Sequence, residues 1–303
     1  MSAAPEIVVV GSLNVDIVVP VSHLPAPGET VAGKEHFKAL GGKGANQAVA
    51  AARLGRSVAI VGRLGDDAEG RDCLAGLERD GVQTDFVRRD AEVLTGVALI
   101  AVDPSGENSI VVGPGANAHL TAQDVRDAEA LLGTAAVVLV QLEIPLEAVA
   151  AAVEIAQGTV ILNPAPARAL PQEILERVDI LTPNEVELAM LSGANVSSEE
   201  DVVAAARAIR GPGAVAVTMG ERGVKLVTGE HAVTIPAPSG VEVVDTTAAG
   251  DAFCGALGDA LSRREELIEA TRWAVTAASV SVTRMGAQPS LPTEEEVRAR
   301  VSS

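Results

Sequence analysis

The 303-residue chain has no Tyr, one Trp and three Phe, so that aromatics make up only 1% of it. With so few rings it has little on which bases could stack, which argues against a binder of single-stranded nucleic acid. Basic residues are also scarce: 23 Lys and Arg stand against 41 Asp and Glu, for a formal net charge of −18. That balance leaves no positive stripe for a nucleic-acid backbone and instead favours solubility. Two cysteines, Cys73 and Cys254, are too few for a disulfide framework and lack metal-ligand spacing. The histidines His23, His36, His119 and His231 are scattered, and none belongs to an HExxH motif. The opening MSAAPEIVVVGSLNVD has neither the basic region nor the apolar run of a signal peptide. No stretch reaches the ~20 apolar residues of a membrane span. The expectation is a soluble cytoplasmic protein with no nucleic-acid or membrane partner.

What is present is aliphatic. Ile7–Val10, Val58–Val61, Ala136–Val140, Val160–Leu162, Ile180–Leu181 and Ala214–Thr218 are short apolar runs suited to strands covered on both faces. Between them, Ala45–Leu54, Glu69–Arg79, Ala122–Leu132, Leu146–Ala156 and Ser198–Arg210 carry helical periodicity. Strand and helix in alternation read as an α/β protein with a parallel sheet. From Ala252 to Thr283 the pattern predicts two helices broken near Arg263–Glu265, with a last helix from about Thr293. Val15–Val21 with Thr30–Lys38, and Gly96–Asp103 with Ser109–Val112, read as hairpins around Pro25–Gly28 and Pro104–Gly106. Together they predict a small antiparallel sheet beside the main one, either a lid or a surface insertion.

Two segments carry chemistry. In Val243–Phe253, the small residues Ala248, Ala249 and Gly250 lead straight into a helical pattern, so free N–H groups converge on an anion site. Asp251 would repel a phosphate there; it either takes a proton from an attacking hydroxyl or caps the helix. The second segment, Gly41–Gln47, lacks both the Ser/Thr of a Walker loop and the acidic residue of a dinucleotide fingerprint. It remains a glycine turn that lets a small polar ligand approach the backbone, with Asn46 one turn into a helix. Asn14 and Asp16 follow the first strand, where they either meet a polyol ligand or close an Asx turn.

SLNVD (Ser12–Asp16), GGKGAN (Gly41–Asn46), Gln141–Glu143, LNPAPAR (Leu162–Arg168), TPNE (Thr182–Glu185), TMGERG (Thr218–Gly223), VDTTAAGD (Val244–Asp251) and VTRMGAQPS (Val282–Ser290) occur in one order. Together these segments resemble the PfkB-type carbohydrate kinases, the ribokinase group in particular, over essentially the whole chain. The resemblance implies a three-layer ribokinase-like α/β fold with a mostly parallel central sheet and a small β-sheet lid. It further implies one domain over 1–303, with lid strands at about 14–39 and 94–113.

The implied activity is ATP-dependent phosphorylation of D-ribose at its 5-hydroxyl. Related sugars or nucleosides, or a non-catalytic sensor on the same scaffold, are the alternatives. Asn14, Asp16, Gly42, Lys43, Asn46 and Glu143 are then expected on the sugar, with Asp251 as the base. Ala248, Ala249 and Gly250 form the anion hole, and Asn184, Thr218, Gly220 and Gly223 line the nucleotide. Glu185 stands near magnesium. A potassium-like ion is expected at Asp245, Thr247, Ser281, Arg284, Gly286 and Ser290. Val275 stands where some members place a histidine beside the adenine. The resemblance also implies a homodimer paired through the lids. Cys254, Met219 and Met285 read as packing residues, and Arg263–Glu266 as a solvated turn.

Overall fold

A computed structural model describes residues 4–301; positions 1–3 and 302–303, the two ends of the span expected to form one domain, lie outside the described residues. The strands are β1 (Ile7–Val10), β2 (Asn14–Pro20), β3 (Phe37–Gly41), β4 (Val58–Gly65), β5 (Gln83–Asp90), β6 (Gly96–Val102), β7 (Asn108–Gly113), β8 (Val137–Gln141), β9 (Thr159–Asn163), β10 (Ile180–Leu181), β11 (Ala214–Thr218), β12 (Val224–Thr228) and β13 (His231–Ile235). The helices are α1 (Lys43–Arg53), α2 (Ala68–Arg79), α3 (Ala122–Arg126), α4 (Glu129–Leu132), α5 (Leu146–Ile155), α6 (Gln172–Leu175), α7 (Glu185–Ser192), α8 (Glu199–Ala208), α9 (Ala249–Ser262), α10 (Leu267–Ser281) and α11 (Glu294–Val301).

The main sheet runs β13-β12-β11-β10-β9-β8-β1-β4-β5, parallel except where β12 and β13 turn back at one edge. Its central strands are buried on both faces, which is why they read as unbroken aliphatic runs. In β1, Ile7 and Val9 enter one core with residues of α1, α9 and α10. Val8 and Val10 enter the other with residues of α3, α5 and α8. The result is three layers, helix–sheet–helix, packed with Val, Leu, Ile and Ala. Phe253 is the one aromatic among the largest fully buried side chains.

The second sheet, β3-β2-β6-β7, differs from the expectation in two ways. It is mixed: β2 and β6 pair in parallel, because both strands set out from the same edge of the main sheet, one after β1 and one after β5. The partner of β2 is Phe37–Gly41 rather than Thr30–Lys38, with Asn14 opposite Gly41 and Val18 opposite Phe37. Residues 30–36 are largely exposed, so no buried face fixes them as strand. The expected helix over Ala122–Leu132 is two short ones, α3 and α4.

The C-terminal ends of β1, β8, β9, β10 and β11 open toward the N-termini of α1 and α9, the place where open parallel sheets receive ligands. Gly255 sets the distance between those helices. A β-carbon there would lie 2.5 Å from Ala50 Cβ and 2.8 Å from the Gln47 carbonyl oxygen. Gly→Ala in a helix ordinarily gains ~0.5–1 kcal/mol. Here backbone stands in the way, and an overpacking cost of ~1–3 kcal/mol outweighs that gain. At Gly258, in the same helix, the nearest neighbours would be Leu139 methyl groups at 3.4 Å, an ordinary contact. Denaturant unfolding should therefore find Gly255→Ala less stable than the parent, and Gly258→Ala equal to it or more stable.

Candidate active site

Asp251 sits in the first turn of α9, 4% exposed. Its carboxylate accepts from α1 on both sides: Asn46 Nδ2 donates to Oδ2 at 2.9 Å and Gln47 Nε2 to Oδ1 at 3.1 Å. Gln47 Oε1 in turn accepts from Gln141 Nε2 at 2.7 Å. The Asn46 amide oxygen is buried and without a partner among the described residues, an acceptor still open. The turn before Asp251 is strained: Ala248 has φ 59° and ψ 11°, a left-handed conformation rare for alanine. The Ala249 N–H is taken by the Thr246 carbonyl at 3.2 Å. The remaining donors at this helix start, the amides of Ala248, Gly250 and Asp251, have no acceptor among the described residues.

Residues expected on the sugar gather beside that carboxylate. Gly42 caps α1 with φ 88°, where a β-carbon would lie within 2.9 Å of the Leu13 and Ser12 backbone. Asp16 lies against Gly41, whose hypothetical β-carbon would be 2.4 Å from Asp16 Oδ2. Glu143 Oε2 accepts from the Lys43 amide at 3.1 Å and from the Ser12 hydroxyl. Asn14 Oδ1 accepts from Asn117 Nδ2 at 2.7 Å, which turns the Asn14 NH2 outward. Asn117 also bonds both the N–H and the carbonyl of Leu13. Burial raises the Asp16 carboxyl to about 6, with the charges of Glu143 and Asp251 adding to it. Burial works to lower the Lys43 ammonium, but Asp251, Glu143 and Glu187 outweigh it and hold the group above the ordinary lysine value. Burial pushes the Cys254 thiol up to about 12, so it is a packing group rather than a nucleophile.

Two cavities meet at the start of α9, sharing Thr218, Thr246, Ala249, Gly250 and Phe253. The smaller, about 200 Å³, is polar and lined by Asp251, Lys43, Asn184 and Glu187. The larger, about 580 Å³, runs past Gly220 and Gly223 and has an aliphatic wall that includes Val243, Val275 and Val282. Gly223 is held at φ 86° with the chain at 235–237 against it. Asn184 caps α7 by accepting from the Glu187 amide at 2.8 Å.

Glu185 departs from its expected place. Its carboxylate pairs with Arg222 at 2.6 Å and lines neither cavity, whereas Glu187, two residues on and on the opposite side of the helix, lines the polar one. Around the TPNE segment it is the residue three positions after the Asn184 cap, not the one next to it, that helical geometry turns to the cavity. Ser12, Gln47, Asn117 and Gln141 also escaped the sequence reading, since their partners stand far away along the chain.

Asp245 lies against Thr247 and the 282–286 turn. Burial opposes ionisation of Asp245, but bonds from Thr247 Oγ1 at 2.6 Å and from the Gly286 and Thr247 amides outweigh it and lower its pKa. The carbonyls of Thr247, Arg284 and Gly286 accept no hydrogen bond among the described residues. The Arg284 side chain is turned to Glu296, the Ser281 carbonyl accepts from the Arg284 amide, and the Ser290 hydroxyl donates to Ala287.

The family model for pfkB family carbohydrate kinases matches residues 4–294. A ribokinase from Haemophilus influenzae is 42% identical, over 95% of this chain and 95% of its own. The crystal structure of ribokinase from Thermotoga maritima superposes with a TM-score of 0.90 at 39% identity, covering 99% of this chain and 100% of that one. Arabidopsis thaliana ribokinase, complexed with ribose and ATP, gives a TM-score of 0.90 at 35% identity, covering 99% and 100%. No helix among the described residues is long and apolar enough to cross a membrane. The chain belongs to the PfkB family of carbohydrate kinases.

Proposed function

We propose that this protein is a ribokinase that transfers the γ-phosphoryl group of ATP to the 5-hydroxyl of D-ribose, with Asp251 as general base. The observation that carries the reading is the buried carboxylate at the junction of a polar pocket and a nucleotide-sized cleft, beside unpaired main-chain amides. Asp251 takes the 5-hydroxyl proton, the ribose oxygen forms its bond to phosphorus, and the bond from phosphorus to the ADP oxygen breaks. Phosphoryl transfer of this kind depends on positioning and charge neutralisation. Holding the two reactants in line supplies on the order of 7–11 kcal/mol, and one donor at developing charge ~3–4 kcal/mol.

Ribose is held by Asn14, Asp16, Gly42, Lys43, Asn46 and Glu143. The outward NH2 of Asn14 donates to one hydroxyl, while Asp16 and Asn46 Oδ1 accept from others. ATP lies along Asn184, Thr218, Gly220 and Gly223 with its adenine against the aliphatic wall at Val275. The amides of Ala248, Gly250 and Asp251, shaped by Ala249, receive the transferring group. Lids of two copies pair in a homodimer, which would cover Leu99, Ile110, Val111 and Val112, all about half exposed or more on the small sheet. The whole span 1–303 works as one domain beneath that lid, in the reducing cytoplasm that suits two buried free thiols.

Two ions fit the residues present. Among the described residues no group of three or more His, Cys, Asp or Glu side chains could hold a metal ion. A magnesium ion would therefore share one carboxylate, Glu187, with the nucleotide phosphates, its usual habit. It supplies neutralising charge where Asp251 and Glu187 would otherwise repel ATP. The free carbonyls of Thr247, Arg284 and Gly286 around Asp245 suit a potassium ion, whose charge tunes the neighbouring amides.

ADP release measured with a panel of pentoses tests the function; ribose should be the preferred acceptor, and no ADP release with any pentose would contradict it. Asp251→Asn should bind ribose nearly as the parent does while turnover falls at least ~10²-fold. Potassium should give faster turnover than sodium at equal ionic strength, and equal rates would remove the ion from the account. Asp16 gives a pH-dependent signature. Its folded value of about 6 lies above the ordinary aspartate value of 3.8, so its contribution to stability is present below about pH 4 and lost as pH rises through 6. Asp16→Asn should stabilise the unliganded protein by on the order of 1–3 kcal/mol at pH 7.5, with the gain vanishing near pH 4, while ribose affinity is lost.

A further inference from the structure

Gln47 and Gln141 are buried, 1% and 0% exposed, and the Gln47 amide is bonded to protein through both its oxygen and its nitrogen. They form a directed chain that ends on the base. Gln141 Nε2 donates to Gln47 Oε1 at 2.7 Å, and Gln47 Nε2 donates to Asp251 Oδ1 at 3.1 Å. The direction has a cost: the Gln141 carbonyl oxygen is left buried with no partner among the described residues. Here the carboxylate dictates the order, since an ionised carboxylate can only accept, which forces Gln47 to present NH2 to Asp251 and its oxygen to Gln141. Gly11 makes the room; a β-carbon there would lie 2.0 Å from Gln141 Oε1.

We propose that Gln141 and Gln47 form a buried amide relay that positions the Asp251 carboxylate for proton abstraction, making both of them positioning residues for turnover rather than for sugar binding. Asn46 fixes Oδ2, and the relay fixes Oδ1 from the core. With both oxygens held, the carboxylate plane cannot swing about its side-chain bonds when the sugar arrives. Position 141 lies on β8 and position 47 on α1, so the relay refers the base on α9 to the central sheet. Charged groups around Asp251, namely Lys43, Asp16, Glu143 and Glu187, are unchanged in the variants below and cancel from the comparison.

The proposal rests on Asp251 being the base of a sugar kinase, and the test separates the two. Wild-type protein, Gln47→Met, Gln141→Met and the double variant are assayed for ribose-dependent ADP release, with ribose Kd from calorimetry and folding from thermal melts. A wild-type protein that phosphorylates no pentose defeats the kinase reading before any variant is made. Given an active parent, Gln47→Met should lose about 10- to 100-fold in kcat with ribose Kd within about threefold. Gln141→Met, which leaves the Gln47–Asp251 bond in place, should lose about 3- to 10-fold, and the double variant no more than Gln47→Met alone. Should Gln47→Met fail to fold, Gln141→Met carries the test by its split between kcat and Kd. Unchanged kcat in the variants that fold, additive losses, or equal losses in kcat and ribose affinity would each overturn the relay.

Discussion

The contact on which the rest depends is that between a carboxylate on one helix and two side-chain amides on another. Asp251 at the start of α9 is buried, and burial without donors would make its charge costly. Asn46 and Gln47 of α1 supply those donors. They reach it because α1 and α9 touch through Gly255 and a run of alanines. The scarcity of aromatics belongs to the same design. Two helices packed through small residues bring backbones close, so short side chains can span the gap, which bulky rings between the helices would prevent.

Electrostatics then decide what the pocket accepts. Asp16, Glu143, Asp251 and Glu187 surround a single ammonium, Lys43; burial, with the neighbouring carboxylates adding to it, raises Asp16, and the carboxylates hold Lys43 up against burial. Such a site welcomes a neutral polyol, whose hydroxyls donate to carboxylates, and resists a bare triphosphate. In the proposed function, phosphate is therefore received by main-chain amides and accompanied by cations. The left-handed Ala248 aims those amides, and the neighbouring Asp245 turn offers carbonyl oxygens for a cation. Strain in the turn and an acid held above its ordinary value are both stability given up at a working surface.

The main sheet was legible because a parallel strand buried on both faces leaves an unbroken aliphatic run; Ile7–Val10 and Ala214–Thr218 coincide with β1 and β11. Edge strands gave no such signal. β5 is polar along much of its length and pairs on one side only, and the β12–β13 hairpin closes the other edge. Pairing of the small sheet is a long-range property, so its parallel β2–β6 step could not be read from two local hairpin patterns. At the site, contiguous motifs pointed to Asp251, Lys43 and Asn46, which do converge. Glu187 was overlooked for Glu185 because orientation on a helix, not membership in a string, decides which acid faces the cavity. Ser12, Asn117, Gln47 and Gln141 act through partners 94 to 204 residues away, distances at which spacing along the chain carries no information.

The central claim is one of geometry: the carboxylate held between Asn46 and Gln47 faces the hydroxyl that receives the phosphoryl group. A crystal structure with ribose and a non-hydrolysable ATP analogue measures it directly. The account predicts the ribose 5-hydroxyl within about 2.6–3.2 Å of an Asp251 oxygen, with the γ-phosphate over the amides of Gly250 and Asp251. A pentose bound with that hydroxyl turned to any other group, and Asp251 bonded only to Asn46 and Gln47, would contradict it.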